Sequence, residues 1–206
     1  MKTSVLHVDQ DGWLKPALAT LERGGLVAFP TDTVYGLCVI ATLEESVRQL
    51  FEVKERDLSK PIPLLLGSAE ALSEIALDIS QMAERFAHNF WPGPLTMVVR
   101  RRPEFAYLGG EQETVGVRVP DHRIALTLLA GIGPLAVTSA NLSGEPNTRT
   151  AQETYGQLSG RIDLIIDGGE TPGGMPSTVV DCTGDHPVIL REGPITMEDL
   201  LSNLKT

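Results

Sequence analysis

Lys54-Glu55-Arg56-Asp57-Leu58-Ser59-Lys60-Pro61-Ile62-Pro63-Leu64-Leu65-Leu66 runs three cations straight into an apolar, proline-marked segment. If Lys54 to Asp57 is extended, the two-residue period sends Lys54 and Arg56 to one face and both acids to the other. If the segment is helical, Arg56 and Lys60 share a side instead. Pro61 and Pro63 disfavour helix at the residues before them and direct the chain into a strand at Leu64 to Leu66. Cations at a strand entrance, in a chain that is acidic elsewhere, point to an anion site. The bland alternative is a solvated charged loop.

Working outward, Leu14, Ala17, Leu18 and Leu21 recur at helical spacing and stop at the cap-like Gly24-Gly25. Leu26 to Phe29 is a buried-strand run ended by Pro30 and the polar turn Thr31-Asp32-Thr33. These three polar residues either satisfy their own turn or stand where α/β proteins bind ligands, beyond a strand's C-terminal end. A second strand reaches Ile40, and Val47, Leu50 and Phe51 give the helical stripe that leads to Lys54. Helices are expected over Ser68 to Ile75 and Ser80 to Phe90, followed by a strand from Leu95 to Val99. Trp91 reads as a packing residue, and Arg100 to Arg102 as a solvated strand end outside any site.

Thr114 to Val119 alternates like a strand, with Arg118 needing an anionic partner or a watery cavity. His122 stands where it would cap the helix spanning Ile124 to Leu129. Leu135 to Val137 is again a buried strand, and Thr138 to Gly144 places hydroxyls and an amide just beyond it. A helix over Thr150 to Leu158, a strand over Leu164 to Ile166 and a glycine-rich loop from Asp167 to Pro176 follow. That loop matches neither the dinucleotide fingerprint nor the P-loop. Strands at Ser177 to Asp181 and Val188 to Leu190 precede a last helix, capped by Thr196 with Asp199 and running to about Leu204.

The 206 residues carry 17 Lys and Arg against 27 Asp and Glu, a formal charge of −10. That balance argues against non-specific nucleic-acid binding, which draws on Lys and Arg contacts to phosphates. Cys38 and Cys182 lie in apolar stretches without a CxxC pair, fitting a reduced interior and no structural zinc. The start lacks a signal-like apolar run, and no eighteen consecutive residues are apolar, so the expectation is a cytoplasmic protein with no membrane association. Neither GxSxG nor metal-ligand histidine spacing is present. What recurs is a set of cations (Lys54, Arg56, Lys60, Arg118, Arg191) and small hydrogen-bonding groups (Thr33, Ser139, Asn141, Ser177) near strand ends. Such a set suits a polyanion beside a small polar substrate, with catalysis by positioning and electrostatics.

Seven short motifs occur together in order: Gly24-Gly25 with Pro30 to Leu37; Lys54-x-Arg56 with Lys60-Pro61; Pro92-Gly93-Pro94-Leu95-Thr96; Val117-Arg118-Val119-Pro120 with His122; Ser139-x-Asn141 with Ser143-Gly144; Ser177 to Asp181; and Arg191-Glu192-Gly193. Their order resembles the YrdC family of threonylcarbamoyl-AMP synthases, in its short single-domain bacterial form. The resemblance implies one YrdC-like α/β domain over 1–206, without the extra C-terminal domain of longer members. Its sheet would be twisted and mixed or mostly antiparallel, with flanking helices around a positively lined cavity. It further implies threonylcarbamoyl-AMP and pyrophosphate made from L-threonine, bicarbonate and ATP, the nucleotide bringing Mg2+ with it. The product would serve N6-threonylcarbamoyladenosine formation at tRNA adenosine 37 through downstream threonylcarbamoyl-transferase proteins.

Carried over by position, Thr33, Thr114, Arg118, Ser139 and Ser177 would hold threonine, and Arg56, Lys60, Asn141 and Arg191 would hold ATP. Lys54 and Arg56 would be catalytic, and no residue is assigned to a metal. One departure is Asn147-Thr148-Arg149, where family members commonly have Ser-Pro-Thr. Rival readings of the same resemblance are an RNA-binding or ribosome-maturation module, whose weak RNA binding the acidic composition confines to the cavity mouth, and a carbamoyl-transfer enzyme.

Overall fold

Alternation along the strands decides where everything else sits, because successive side chains point to opposite faces of a sheet. The computed structural model describes residues 2–110, 113–173 and 175–204, so Gly174 of the glycine-rich loop lies outside it. Ten strands among the described residues form one sheet: β1 (Ser4–His7), β2 (Val27–Pro30), β3 (Tyr35–Ile40), β4 (Leu64–Leu65), β5 (Leu95–Arg100), β6 (Thr114–Arg118), β7 (Leu135–Ser139), β8 (Leu164–Asp167), β9 (Thr178–Asp181) and β10 (Val188–Arg191). Their order is β1-β8-β2-β3-β7-β4-β6-β5-β9-β10. The pairs β1/β8, β8/β2, β4/β6 and β5/β9 are parallel and the other five antiparallel, so the sheet is mixed, as expected.

One face of the sheet carries the larger core. Tyr35, Leu37 and Val39 of β3, Leu95, Met97 and Val99 of β5, and Val115 and Val117 of β6 pack there with α2 (Glu44–Val53) and α4 (Gln81–Phe90). The other face is only half covered. Helices α1 (Leu14–Glu22) and α5 (Arg123–Ile132) bury Ala17, Leu21, Ala125, Leu128 and Leu129 against Val27, Phe29, Cys38 and Leu164, on the β8-β2-β3 side. Beyond β7 the alternate positions of that face, Leu65, Thr96, Val98, Gly116, Arg118 and Val179, line a cavity instead. Short α3 (Leu72–Ile75), α6 (Ala151–Leu158) and α7 (Met197–Leu204) complete the element set, with a 3₁₀ turn at Pro103–Leu108.

Most expected elements are present, and the differences have local causes. Lys54 to Asp57 is neither extended nor helical: Lys54 caps α2, and Glu55 adopts φ +48°. The alternation that would have pointed Lys54 and Arg56 the same way is therefore broken. The helix expected from Ser68 is confined to Leu72–Ile75, because the preceding residues form turns. His122 takes the N-cap position of α5, but its side chain makes no capping bond; its carbonyl accepts from Leu126 N–H instead. Arg101 is not a solvated strand-end residue: its Nη1 donates inward to Gly109 O (2.9 Å) and Thr114 O (3.0 Å). Cys38 and Cys182 are free and buried. Among the described residues no helix is long and apolar enough to cross a membrane.

Candidate active site

The cavity on the open half of the sheet has a volume of about 390 Å³. Its floor is apolar where Leu65, Val98 and Val137 reach it, and Gly116 keeps it open. A side chain at Gly116 would press on Thr96 and Pro63, about 3.1 to 3.2 Å from the new carbon. Its polar lining comes from segments far apart in sequence: Thr31 and Thr33 from the turn after β2, Arg56 from the turn after α2, Arg118 from the end of β6, Ser139 from the end of β7, Ser177 from just before β9, and Arg191 from the end of β10. Pairing of β3 with β7 and of β5 with β9 brings these ends together.

Arg118 is held from three sides. Its Nε donates to Gly93 O (2.9 Å), Nη1 to Thr33 Oγ1 (3.2 Å) and Nη2 to Asp32 Oδ1 (2.5 Å). The anionic partner expected for a buried arginine is thus Asp32, from the turn opposite, and both side chains are largely buried. Thr31 satisfies the turn itself, donating to Val34 O (2.7 Å) and accepting from the Thr33 N–H (3.2 Å). Both threonines border the cavity, and the Thr33 hydroxyl, 3.1 Å from that of Thr31, is the one that meets Arg118.

On the opposite wall, Arg191 donates through Nε and Nη2 to Ser177 O (3.2 and 2.9 Å) and through Nη2 to Ser177 Oγ (3.1 Å). Thr96 Oγ1 lies 2.8 Å from the same Ser177 hydroxyl. A register shift between Ile189 and Arg191 breaks the alternation of β10, so that Leu190 and Arg191 both border the cavity. Arg56 donates to Lys60 O (2.9 Å) and Pro61 O (3.0 Å). Among the described residues, Nη1 of both Arg56 and Arg191 is without a protein partner.

Burial lowers the pKa of Arg191, and the Arg118 and Arg56 guanidiniums add to that shift by repulsion. Three cations thus face one space in a protein of net charge −10, which focuses positive potential on the cavity. Arg56 is lowered by burial alone. Burial also lowers His122, against the opposing pull of Asp32 and Asp121, and its Nδ1 is buried without a partner among the described residues.

Six of the residues expected from the sequence line this cavity together: Thr33, Arg56, Arg118, Ser139, Ser177 and Arg191. Four do not. Lys60 is exposed, with its carbonyl holding Arg56. Thr114 starts β6, on the same strand face as Gly116 and Arg118 but outside the lining. Asn141 is buried, its amide nitrogen donating to Leu142 O (2.9 Å) and Glu145 O (2.7 Å). Lys54 is buried and turned toward the backbone of Ser139 and Asn141. Thr96 and Asn147 also line the cavity, and sequence reasoning gave neither a role. Thr96 sat inside a quoted motif, and its alternation with the core residues Leu95 and Met97 was the available signal. Arg149 points away, to Glu170 (2.8 Å).

Residues 19–193 match the Sua5/YciO/YrdC family model, described as "Telomere recombination". The chain belongs to this family. A threonylcarbamoyl-AMP synthase of Pyrococcus abyssi is 41% identical over 189 residues, covering 91% of this chain and 56% of the relative. A threonylcarbamoyl-AMP synthase of Bacillus subtilis is 37% identical over 210 residues, covering 97% of this chain and 61% of the relative. Among solved structures, P. abyssi Sua5 complexed with L-threonine superposes with a TM-score of 0.92 at 38% identity, over 99% of this chain and 61% of that one. The chain therefore spans about six-tenths of the length of these family members. In the Sua5/YciO/YrdC setting, the expected α/β fold is the one observed.

Proposed function

We propose that this chain is an L-threonylcarbamoyladenylate synthase, a nucleotidyltransferase that makes threonylcarbamoyl-AMP and pyrophosphate from L-threonine, bicarbonate and ATP. The observation that carries this reading is the meeting of three guanidiniums and three hydroxyls, from Arg56, Arg118, Arg191, Thr33, Ser139 and Ser177, in one cavity. Supporting it is the P. abyssi relative of the same fold, complexed with L-threonine.

In the proposed reaction the threonine amine adds to the bicarbonate carbon and water leaves, giving a carbamate. A carbamate oxygen then attacks the α-phosphorus, the bond from that phosphorus to the bridging oxygen of the β-phosphate breaks, and pyrophosphate departs. Arg118, with Asp32 and Thr33 fixing its plane, orients the threonine carboxylate through its remaining N–H groups. Thr33, Ser139 and Ser177 offer hydroxyls to the amino acid's polar atoms. Arg56 and Arg191, each with an Nη1 that has no partner among the described residues, meet the charge that grows on the α-phosphate oxygens and on pyrophosphate. Being already desolvated and fixed, they need little reorganisation when it appears.

Magnesium enters as part of the nucleotide substrate. Asp32 is paired with Arg118, and no group of three or more His, Cys, Asp or Glu among the described residues could hold a metal. Phosphate oxygens and water are the ligands that remain. The adenylate produced would pass to the proteins that transfer threonylcarbamoyl to tRNA adenosine 37. Pyrophosphate release from ATP, with threonine and bicarbonate omitted in turn, tests the proposal. Release that needs both supports it; release that needs neither, or no release at all, rejects it in favour of carbamoyl transfer or RNA binding.

A further inference from the structure

Lys54 stands in the same short motif as Arg56, yet the two side chains part company at Glu55, whose φ of +48° reverses the chain. Arg56 turns to the cavity. Lys54, 4% exposed, reaches the other way, to the end of β7. An ammonium has three donors, and three acceptors surround this one: Ser139 O at 2.8 Å, Asn141 O, and Asn141 Oδ1 at 3.3 Å. No donor is left over for a phosphate.

The acceptors belong to the other polar motif, Ser139-x-Asn141. Asn141 passes the restraint on, because its Nδ2 donates to the carbonyls of Leu142 and Glu145. The backbone that presents the Ser139 hydroxyl, and the loop leading to the cavity residue Asn147, are thereby tied to the end of α2. We propose that Lys54 is a positioning residue, holding the Ser139 to Asn141 backbone against the cavity, and that it does not touch the nucleotide phosphates. This rests on the synthase reading for its effect on substrates, but the clamp itself does not. A buried cation so placed is uncomfortable: burial first, and Arg56 second, push the Lys54 pKa down to about 8. The clamp therefore has a titration of its own.

The test uses the full chain, with Lys54→Met beside Arg56→Ala and two probes, L-threonine and inorganic tripolyphosphate. Lys54→Met is expected to bind tripolyphosphate within about twofold of the parent and L-threonine about tenfold more weakly, and to exchange amide hydrogens over residues 139–146 at least about tenfold faster. Arg56→Ala is expected to show the reverse selectivity, losing tripolyphosphate. Lys54→Met that loses tripolyphosphate as Arg56→Ala does, with exchange over 139–146 unchanged, overturns the proposal and makes Lys54 a phosphate ligand. If the parent binds neither probe, the synthase reading fails while the exchange measurement still decides the clamp. Should Lys54→Met fail to fold, NMR of the parent decides. The amide signals of Ser139 to Asn141 are expected to move with the Lys54 ¹³Cε titration, and amides that do not follow it overturn the clamp.

Discussion

Arg118 Nη2 lies 2.5 Å from Asp32 Oδ1, joining the end of β6 to the turn after β2 across the cavity wall. The pair fixes the guanidinium's plane and removes one unit of charge from a space that Arg56 and Arg191 also face. Truncating one partner leaves the other buried and uncompensated, which costs more than the net worth of the pair. Asp32→Ala should therefore lose about 3 kcal/mol, or roughly 6 to 12 °C in Tm for a chain of this size. Calorimetry checks this, and Asp32→Asn, which keeps an acceptor, should lose less.

Thr33 accepts from Arg118 and lies 3.1 Å from the Thr31 hydroxyl. Thr33→Val keeps the shape and deletes the oxygen, so L-threonine affinity should fall about tenfold, in line with a hydrogen bond worth roughly 1 to 1.5 kcal/mol. Calorimetric titration with L-threonine measures it, and tripolyphosphate affinity should hardly move.

Thr96, itself a cavity-lining residue, has its Oγ1 2.8 Å from the hydroxyl of the proposed substrate contact Ser177. Thr96→Val leaves Arg191 as the partner of that hydroxyl, so the rotamer loosens without being lost. A rise of a few-fold in the KM for threonine, with stability changed by no more than about 1 kcal/mol, is expected. Steady-state kinetics and urea unfolding read the two effects separately.

A side chain at Gly193 would collide with the backbone of Ser177 and Thr178. Gly193→Ala must push that segment away from Arg191, which donates to Ser177 O. Overpacking of this kind should cost about 1 to 3 kcal/mol and raise the KM for ATP. Thermal unfolding and ATP titration check both.

Burial, with the Arg56 charge adding to it, pushes Lys54 in the folded chain down to about 8 from the ordinary lysine value of 10.5. Below pH 8 both states hold the proton and there is no slope. Between 8 and 10.5 the unfolded chain holds more protons, so this group makes the fold more stable as pH rises, by up to ~1.4 kcal/mol per unit. Its contribution is complete above 10.5 and is lost as pH falls through 8. Urea unfolding of the parent at pH 7.5 and 10, with Lys54→Met as reference, should reveal the difference between their slopes.

The central strands were legible because burial on both faces leaves unbroken apolar runs, as at Leu26 to Phe29 and Leu135 to Val137. β1 was not read, since Ser4–His7 is an edge strand with little buried surface and is recognisable mainly by its pairing to β8. The turn at Lys54 to Asp57 escaped because a left-handed glutamate carries no sequence signal comparable to glycine. Arg118 announced its need for a partner, but only the fold supplied Asp32, from 86 residues away. Ordered motifs assembled most of the cavity wall; the inward turn of Lys54 depends on a backbone reversal that the motifs do not encode.

Carbon-13 bicarbonate, ATP and L-threonine incubated with the protein, followed by mass spectrometry of the adenylate fraction, test whether the chain makes threonylcarbamoyl-AMP. Threonylcarbamoyl-AMP bearing one labelled carbon is expected, formed only when threonine is present and reduced at least about tenfold in Arg118→Ala, which removes a charged hydrogen-bonding group. An unlabelled product, or a labelled adenylate made equally well without threonine, would contradict it.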